Sequence, residues 1–322
     1  ETVNASALSQ ILGYSSSARW FAQDRLHDLA RRDHGVSKTI HACRKVGADL
    51  WGIYLLGERT ALTTAVQVLN VPSEEVGDEL HRLIWNQDVA PFVLMSMQET
   101  VRVCTGFRYA PPGVSDAQRG VLHAALTLGE VGRALDDLRA EQLDEGVPWQ
   151  RRAADLVGAH RVDARLLQGL QALRESVLGD GLELRTAHAL IGRFLYVRHL
   201  QDRGLLAALK IDDQILSDGL QRGATVKSLR RLVEAVDERL NGSVFPIAWT
   251  GKNAPADRHV CAVASAFLGD DPATGQMHLG FRAYDFSYIP VETLSVVYEQ
   301  FLTRLDEDHG PSRGKVRAKR RE

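Results

Sequence analysis

The sequence predicts an α+β protein in which a short mixed sheet with flanking helices, a nuclease-like α/β arrangement, precedes a mainly helical region. Two pairs of β-rich runs lie in the first third of the chain, and long segments rich in Ala, Leu, Arg and Glu with helical periodicity follow. With 322 residues, 44% hydrophobic and 25% charged, the chain has the composition of a globular protein long enough for two domains.

The first third alternates helix and hairpin signals. An amphipathic helix is predicted over residues 17–32. Its apolar stripe contains Trp20, Phe21, Leu26 and Leu29, and the segment "HGVS" after it is expected to end the helix. The runs "DLWGIYLL" (49–56) and "ALTTAVQVL" (61–69) are predicted to form a hairpin. Pro72 and Ser73 open a helix expected to reach Trp85, and a second hairpin is predicted from "PFVLMSM" (91–97) and "TVRVCTGF" (100–107). Residues 1–110 are therefore expected to form one compact α+β domain.

The rest of the chain is predicted to be helical. Residues 111–178 carry little strand signal and are predicted to be a helical connector. Residues 179–306 are predicted to be a helical domain. Its helices are expected within 184–206, with a stop at Gly204, within 225–247, with an end at Asn241-Gly242 before an apolar segment, within 259–271, and after Pro290, which opens the last one. The buried stripe of this last helix is expected to hold Leu294, Tyr298, Phe301 and Leu305. Residues 307–322 are a basic tail or linker.

The cysteine spacing, the absence of a long apolar run and the first residue indicate the cellular compartment and the partners to expect. Cys43, Cys104 and Cys261 lie far apart, which argues against a disulfide framework or a zinc site and fits a reducing cytoplasm. No apolar run approaches the roughly 18 residues that a membrane span needs, so no membrane partner is expected. Because the first residue is Glu1 and not Met, we expect a trimmed piece of a longer chain.

No motif assigns a catalytic, metal or cofactor residue. A metal-dependent nuclease of the PD-(D/E)xK type places an acid on one strand and acid-x-Lys on the next. Here Asp49 begins the first strand, but Gln67 and Leu69 stand where the second acid and the lysine belong. A nuclease that uses Asp49 with Glu74 or Glu75 to hold Mg²⁺ remains an alternative, as does a non-catalytic interaction module.

The basic tail is either a contact to the DNA backbone or a solvated terminus, and its six cations could neutralise several phosphates. The candidate DNA-binding residues are Arg313, Lys315, Arg317, Lys319, Arg320 and Arg321.

Four stretches, in order, resemble the region upstream of the catalytic domain in large N6-adenine DNA methyltransferases: the modification subunits of type I systems and the type IIG enzymes. They are 81–107, which contains "Trp-Asn" and a strand hairpin, 191–206, 240–247, and "GQMHLGFRAYDFSYIPVETLSVVYEQFL" (275–302). The last is the most specific, because Tyr-Asp-Phe, Ile-Pro and Tyr-Glu-x-Phe-Leu occur in one run.

This resemblance implies the N-terminal fragment, or a split subunit, of an adenine-specific DNA methyltransferase from a restriction-modification or phage-defence system. In the family a catalytic domain follows, binds S-adenosylmethionine and acts on a flipped-out adenine. Its motifs do not occur here, and Pro111-Pro112 lies between Ala110 and Gly113. We therefore expect no cofactor and no catalysis in this chain alone. The implied partners are DNA, the missing methyltransferase domain or subunit, and other defence-system proteins.

Overall fold

The computed structural model describes residues 4–57, 62–269 and 280–303. The strands are β1 (Trp20–Ala22), β2 (Asp49–Leu56), β3 (Thr63–Asn70), β4 (Phe92–Met97), β5 (Thr100–Thr105) and β6 (Val121–Leu126). The first eight described α-helices are α1 (Ala5–Ile11), α2 (Gln23–Ala30), α3 (His34–Val46), α4 (Glu74–Gln87), α5 (Asp116–Arg119), α6 (Leu128–Ala134), α7 (Ala140–Asp144) and α8 (Val147–Arg151). The later ones are α9 (Val162–Gly179), α10 (Leu184–Asp202), α11 (Leu205–Ala208), α12 (Asp213–Leu220), α13 (Val226–Leu240), α14 (Asp257–Phe267) and α15 (Val291–Thr303).

The described strands form one mixed six-stranded sheet in the order β1-β2-β3-β4-β5-β6. Neighbouring strands are antiparallel except β3 and β4, which run parallel because α4 crosses between them. Side chains alternate between the two faces of the sheet. Val66 and Val68 of β3 pack against α1 and α6, whereas Leu69 packs under α3 and α4. The sheet is thus a central layer with helices on both sides.

The helical region packs on the α3–α4 side. Its main core joins α9, α10, α13, α14 and α15 and extends to Trp85 of α4. A smaller core joins α10 to α11, α12 and α13. The predicted α+β fold class is confirmed: a mixed sheet with helices precedes a mainly helical region. No helix within the described ranges is both long and apolar enough to cross a membrane.

Local sequence signals locate many elements correctly. Both predicted hairpins form, β2 with β3 and β4 with β5. The Ser73 hydroxyl caps α4 by accepting a hydrogen bond from the Val76 nitrogen at 3.3 Å. Asn241 ends α13 in the left-handed conformation, with φ of 52°. The last helix begins directly after Pro290.

The predicted helix over 17–32 is wrong in its first half. Trp20 and Phe21 lie in β1, where they pair with Tyr54 and Ile53 of β2, and the helix starts only at Gln23. The Trp20 ring lies over Gly52, where an added Cβ would come within 2.1 Å of the ring. The cause is tertiary: the indole fills a space that only a glycine on the neighbouring strand leaves open.

The "HGVS" segment does not end a helix but begins α3. Asp33 is the N-cap, and its Oδ1 accepts a hydrogen bond from the Val36 nitrogen at 3.0 Å. Gly35 therefore lies in a first helical turn and does not terminate the preceding element.

The predicted helical connector over 111–178 contains a strand. Residues 121–126 form β6, which pairs with β5 and extends the sheet beyond residue 110. The chain turns into this strand at Gly120, which has φ of 79° and whose added Cβ would lie 2.4 Å from the Arg108 carbonyl oxygen. The strand follows from this turn and from the open edge of β5, neither of which is visible as periodicity.

The buried stripe of α15 differs in part from the prediction. Phe301 and Val297 are buried, while Leu294 and Tyr298 are only half-buried. Leu305 lies outside the described residues, as do the predicted tail residues Arg313, Lys315, Arg317, Lys319, Arg320 and Arg321.

Candidate functional site

Residues 283–290, "AYDFSYIP", lie between α4, α3 and α10 and are called the linking segment here. Tyr284, Phe286, Tyr288 and Ile289 are each 2% exposed or less. A turn in which the Tyr288 nitrogen donates to the Asp285 oxygen at 3.0 Å leads the chain toward α15. The segment therefore forms the joint between the sheet layer and the helical region.

Asn86 of α4 holds the backbone of the linking segment at two points. Its Nδ2 donates to the Ala283 oxygen at 3.0 Å, and its Oδ1 accepts from the Asp285 nitrogen at 3.1 Å. Arg82, one turn earlier, donates through Nη1 to the same Ala283 oxygen at 3.0 Å. Because Asn86 is fully buried, water cannot replace these bonds.

A stripe of α3 holds the other side of the segment. Lys38 Nζ donates to the Tyr288 oxygen at 3.0 Å, and His41 Nδ1 lies 2.8 Å from the Tyr288 hydroxyl. Lys45 Nζ pairs with Asp285 Oδ2 at 3.0 Å. These three side chains are spaced i, i+3 and i+7 and so share one helix face. Burial, reinforced by the nearby carboxylate, raises the pKa of Tyr288 to about 12, so its hydroxyl stays protonated.

The pKa values of two carboxylates at this joint are shifted in opposite directions. Burial alone would raise the pKa of Asp285, but hydrogen bonds from Ser287 and Lys45 and the Lys45 charge bring it below its usual value. Asp202 of α10 accepts a hydrogen bond from the Phe286 nitrogen at 3.0 Å. Its pKa is nevertheless raised, because burial outweighs the Arg198 charge.

Aromatic rings extend the joint into the helical core. The Trp85 ring packs near both Tyr109 and Tyr284, at centroid distances of 5.8 and 5.4 Å, and Trp85 Nε1 donates to the His160 oxygen at 3.1 Å. Phe281, just before the linking segment, stacks on Phe267 at 4.2 Å. Trp85 thus belongs to the helical core although it lies on a helix of the sheet layer.

Hydrogen bonds from Arg193 connect residues 240–247 to α10. This 1% exposed side chain donates from Nη1 and Nη2 to both carboxylate oxygens of Asp237 at 2.6 and 3.2 Å, and from Nη2 to Ser243 Oγ at 3.1 Å. Phe245 packs on Tyr298 of α15 at 4.6 Å. An added Cβ on Gly192 would come within 2.9 Å of the Tyr298 hydroxyl, so this glycine permits the close approach of α15 to α10.

The strand positions that a nuclease would use lie apart from this joint. Asp49 is exposed at the start of β2, opposite Asn70. Gln67 is buried under α3 and donates to Thr39 Oγ1 at 3.1 Å. The Glu74 carboxylate lies 3.5 Å from Arg102. The described residues contain no group of three or more His, Cys, Asp or Glu side chains arranged to hold a metal.

A surface depression of about 1180 Å³ lies elsewhere, beside β1, α2 and the ends of β2 and β3. Its charges are mixed and partly engaged: Arg19 pairs with Asp144 at 3.2 Å and Arg25 lies over the Phe21 ring at 4.3 Å. Gly57 and Leu62 line this depression, and residues 58–61, which join them in sequence, lie outside the described ranges. We therefore place the candidate site at the joint and not in this depression.

Sequence reasoning misses the partners of the linking segment. Lys38, His41 and Lys45 belong to α3, a helix that the sequence patterns did not predict, and Asp202 is predicted only as part of a helix. The detectable signal is Asp33 three residues before Val36, an N-cap pattern, followed by polar residues at i, i+3 and i+7. The predicted DNA-binding residues of the tail lie outside the described residues.

Comparisons of the chain with protein-family models, with curated proteins and with solved structures find no match.

Proposed function

We propose that this chain is the N-terminal part of an N6-adenine DNA methyltransferase of a restriction-modification or phage-defence system, or a separately encoded subunit of one. In this role it helps to enclose DNA and packs against the catalytic part. Transfer of the methyl group from S-adenosylmethionine to adenine belongs to that other part. The protein would act in the cytoplasm, where reducing conditions keep its three cysteines as thiols.

The observation that supports this proposal is the mutual contact of the four stretches that resemble the family. Trp85 and Asn86 of the first stretch contact Tyr284 and Ala283 of the last. Asp202 of the second accepts a hydrogen bond from Phe286 of the last. The third stretch contacts the last and the second. Its Phe245 ring packs on Tyr298 of the last stretch, and the Phe245 backbone oxygen accepts a hydrogen bond from Arg193 of the second at 3.4 Å. The described parts of all four stretches thus lie in one structural unit.

The surface of α15 is compatible with a further packed domain. Val291, Val296 and Leu302 are 46, 49 and 39% exposed on this helix, although Val297 and Phe301 anchor it to the core. A helix with apolar residues on both its inner and outer sides is suited to lie between two packed units. The cations at 313–321, which follow this helix in the sequence, would bind the DNA backbone.

The decisive experiment joins this chain to the sequence that follows it in its gene and measures N6-methyladenine in plasmid DNA by mass spectrometry. We expect methylation from the joined protein and none from this chain alone or from the downstream part without it. The matched control replaces Asn253, an exposed residue, by Asp and should leave methylation unchanged. Methylation by the downstream part alone at the full rate would contradict the proposal.

DNA binding is tested separately, by filter binding of this chain to duplex DNA over a series of salt concentrations. Removing one cation that neutralises a phosphate should reduce the slope of log K against log salt by about 0.9. Replacing the six tail cations by glutamine is therefore expected to flatten the slope by several units. Replacing six exposed cations of the helical region is the control for net charge, and equal effects of both variants would argue against a specific role for the tail.

A further inference from the structure

A small cavity of about 180 Å³ opens beside the linking segment, where α3, α4, α10 and α15 meet. Its wall includes Lys38 of α3, Gln87 of α4, Arg203 at the end of α10, and Glu292 of α15. The first residues of α3 and of α15 also line it. The cavity therefore touches both the sheet layer and the helical region.

Positive charge in this cavity is not balanced by salt bridges. Neither Lys38 nor Arg203 has a carboxylate within 4.0 Å among the described residues. Burial and the neighbouring Arg203 charge lower the pKa of Lys38, and Glu292 offsets this only in part. Two cations held close together in a partly buried site repel each other, and a bound anion would relieve that repulsion.

Two helix N-termini add to the positive electrostatic potential of the cavity. The first N–H groups of a helix have no acceptor within the helix and carry partial positive charge. In α3 the N-cap Asp33 satisfies the Val36 nitrogen at 3.0 Å, so the nitrogens of His34 and Gly35 are the ones that remain. Helix α15 begins at Val291, directly at the cavity wall.

Gln87 supplies an independent observation. Its side chain is 1% exposed, and Oε1 accepts a hydrogen bond from Thr39 Oγ1 at 2.9 Å. Its Nε2 donor has no hydrogen-bond partner among the described residues. A buried amide donor without an acceptor costs about 1–3 kcal/mol. Because Gln87 also lines the cavity, an acceptor oxygen bound there would offer this donor a partner.

We propose that this cavity binds a phosphate group between Lys38, Arg203 and the first turns of α3 and α15. Phosphate matches the site because its several oxygens can accept from two cations and from backbone N–H groups together. The volume admits one such group. The ligand would bridge α3 to α10 and α15, so binding would hold the two regions together at the linking segment. This inference does not depend on a methyltransferase role.

The test titrates this chain with inorganic phosphate by calorimetry and follows its Tm in phosphate and in chloride at equal ionic strength. We expect Tm to rise by about 2–4 °C at phosphate well above Kd. Arg203→Gln should weaken phosphate binding at least tenfold. Glu292→Gln should tighten it, because the opposing charge is removed. Arg231→Gln and Glu238→Gln, exposed on α13, are the matched controls and should change neither quantity.

Opposite responses of Arg203→Gln and Glu292→Gln would not arise from simple misfolding. Two further titrations identify the source of the phosphate group. Competition of AMP with inorganic phosphate indicates a nucleotide, whereas loss of duplex DNA affinity in Arg203→Gln indicates a backbone phosphate. The proposal is overturned if phosphate stabilises the chain no more than chloride does, or if both variants bind phosphate like the controls. Failure here would leave the methylation experiment unaffected.

Discussion

Asn86 Oδ1 accepts a hydrogen bond from the backbone nitrogen of Asp285 at 3.1 Å, across 199 residues of sequence. The same side chain donates to Ala283 and is fully buried. One amide thus binds the backbone of the linking segment in both hydrogen-bonding directions. The joint between sheet and helices therefore depends on the side-chain identity at this position, since only an amide offers a donor and an acceptor in this geometry.

Asn86→Asp is expected to destabilise the protein by about 2–4 kcal/mol in urea unfolding. The substitution preserves shape and the acceptor for Asp285 but replaces the donor to Ala283 by a second oxygen in a buried site. Asn253→Asp, at an exposed position, should change the free energy of unfolding by less than about 0.5 kcal/mol. Equal effects of the two substitutions would show that the Asn86 hydrogen bonds do not support the joint.

The pH dependence of stability should separate Asp285 from Asp202. The pKa of Asp285 is lowered in the folded state, so its contribution is present above the unfolded pKa of about 4 and is lost as pH falls below it. Asp285→Asn should cost about 1 kcal/mol at pH 7, and this cost should shrink on acidification.

Asp202→Asn is the matched contrast. The pKa of Asp202 is raised in the folded state, so its ionisation favours unfolding, and stability is lost as pH rises through the folded pKa. The asparagine variant should therefore lose less stability than the parent between about pH 4 and pH 7. Unfolding curves at four pH values check both variants, and parallel pH profiles would contradict the opposite shifts.

Arg193→Met is expected to destabilise the protein by about 3–5 kcal/mol, because Asp237 would be left without its buried partner. Lysine should not restore stability, since it cannot reach both carboxylate oxygens and the 240–247 segment together. Arg230→Met removes an exposed ion pair with Glu234 and should cost less than about 1 kcal/mol. Thermal unfolding monitored by circular dichroism compares the three.

Gly52→Ala tests the strand that forms where a helix is predicted. The added methyl would lie 2.1 Å from the Trp20 ring, so we expect a loss of at least about 2 kcal/mol as the indole or strand shifts. Gly129→Ala in α6 meets nothing within 4 Å and should stabilise by about 0.5–1 kcal/mol. If Gly52→Ala were neutral in urea unfolding, Trp20 would not lie over β2.

The sequence predicts one feature of the candidate site, the helix that follows Pro290, but not the burial and the partners of the linking segment. Pro290 and the periodicity after it correctly indicate the start of a helix, because proline at the first turn acts locally. The buried state of Tyr284 and Tyr288 and their partners on α3 are not predictable, because Gly35 resembles a helix stop. Whether a glycine ends a helix or lies in its first turn depends here on the Asp33 cap.

The sequence by itself determined the elements whose causes lie within a few residues: the two hairpins, the Ser73 cap of α4, the Asn241 end of α13 and the start of α15. Tertiary structure alone decided that Trp20 joins a strand, that residues 121–126 extend the sheet, and that residues 283–290 are buried between α3, α4 and α10. The physical reason is that strand pairing and the satisfaction of buried polar groups depend on partners far away in sequence, whereas caps and periodicity do not.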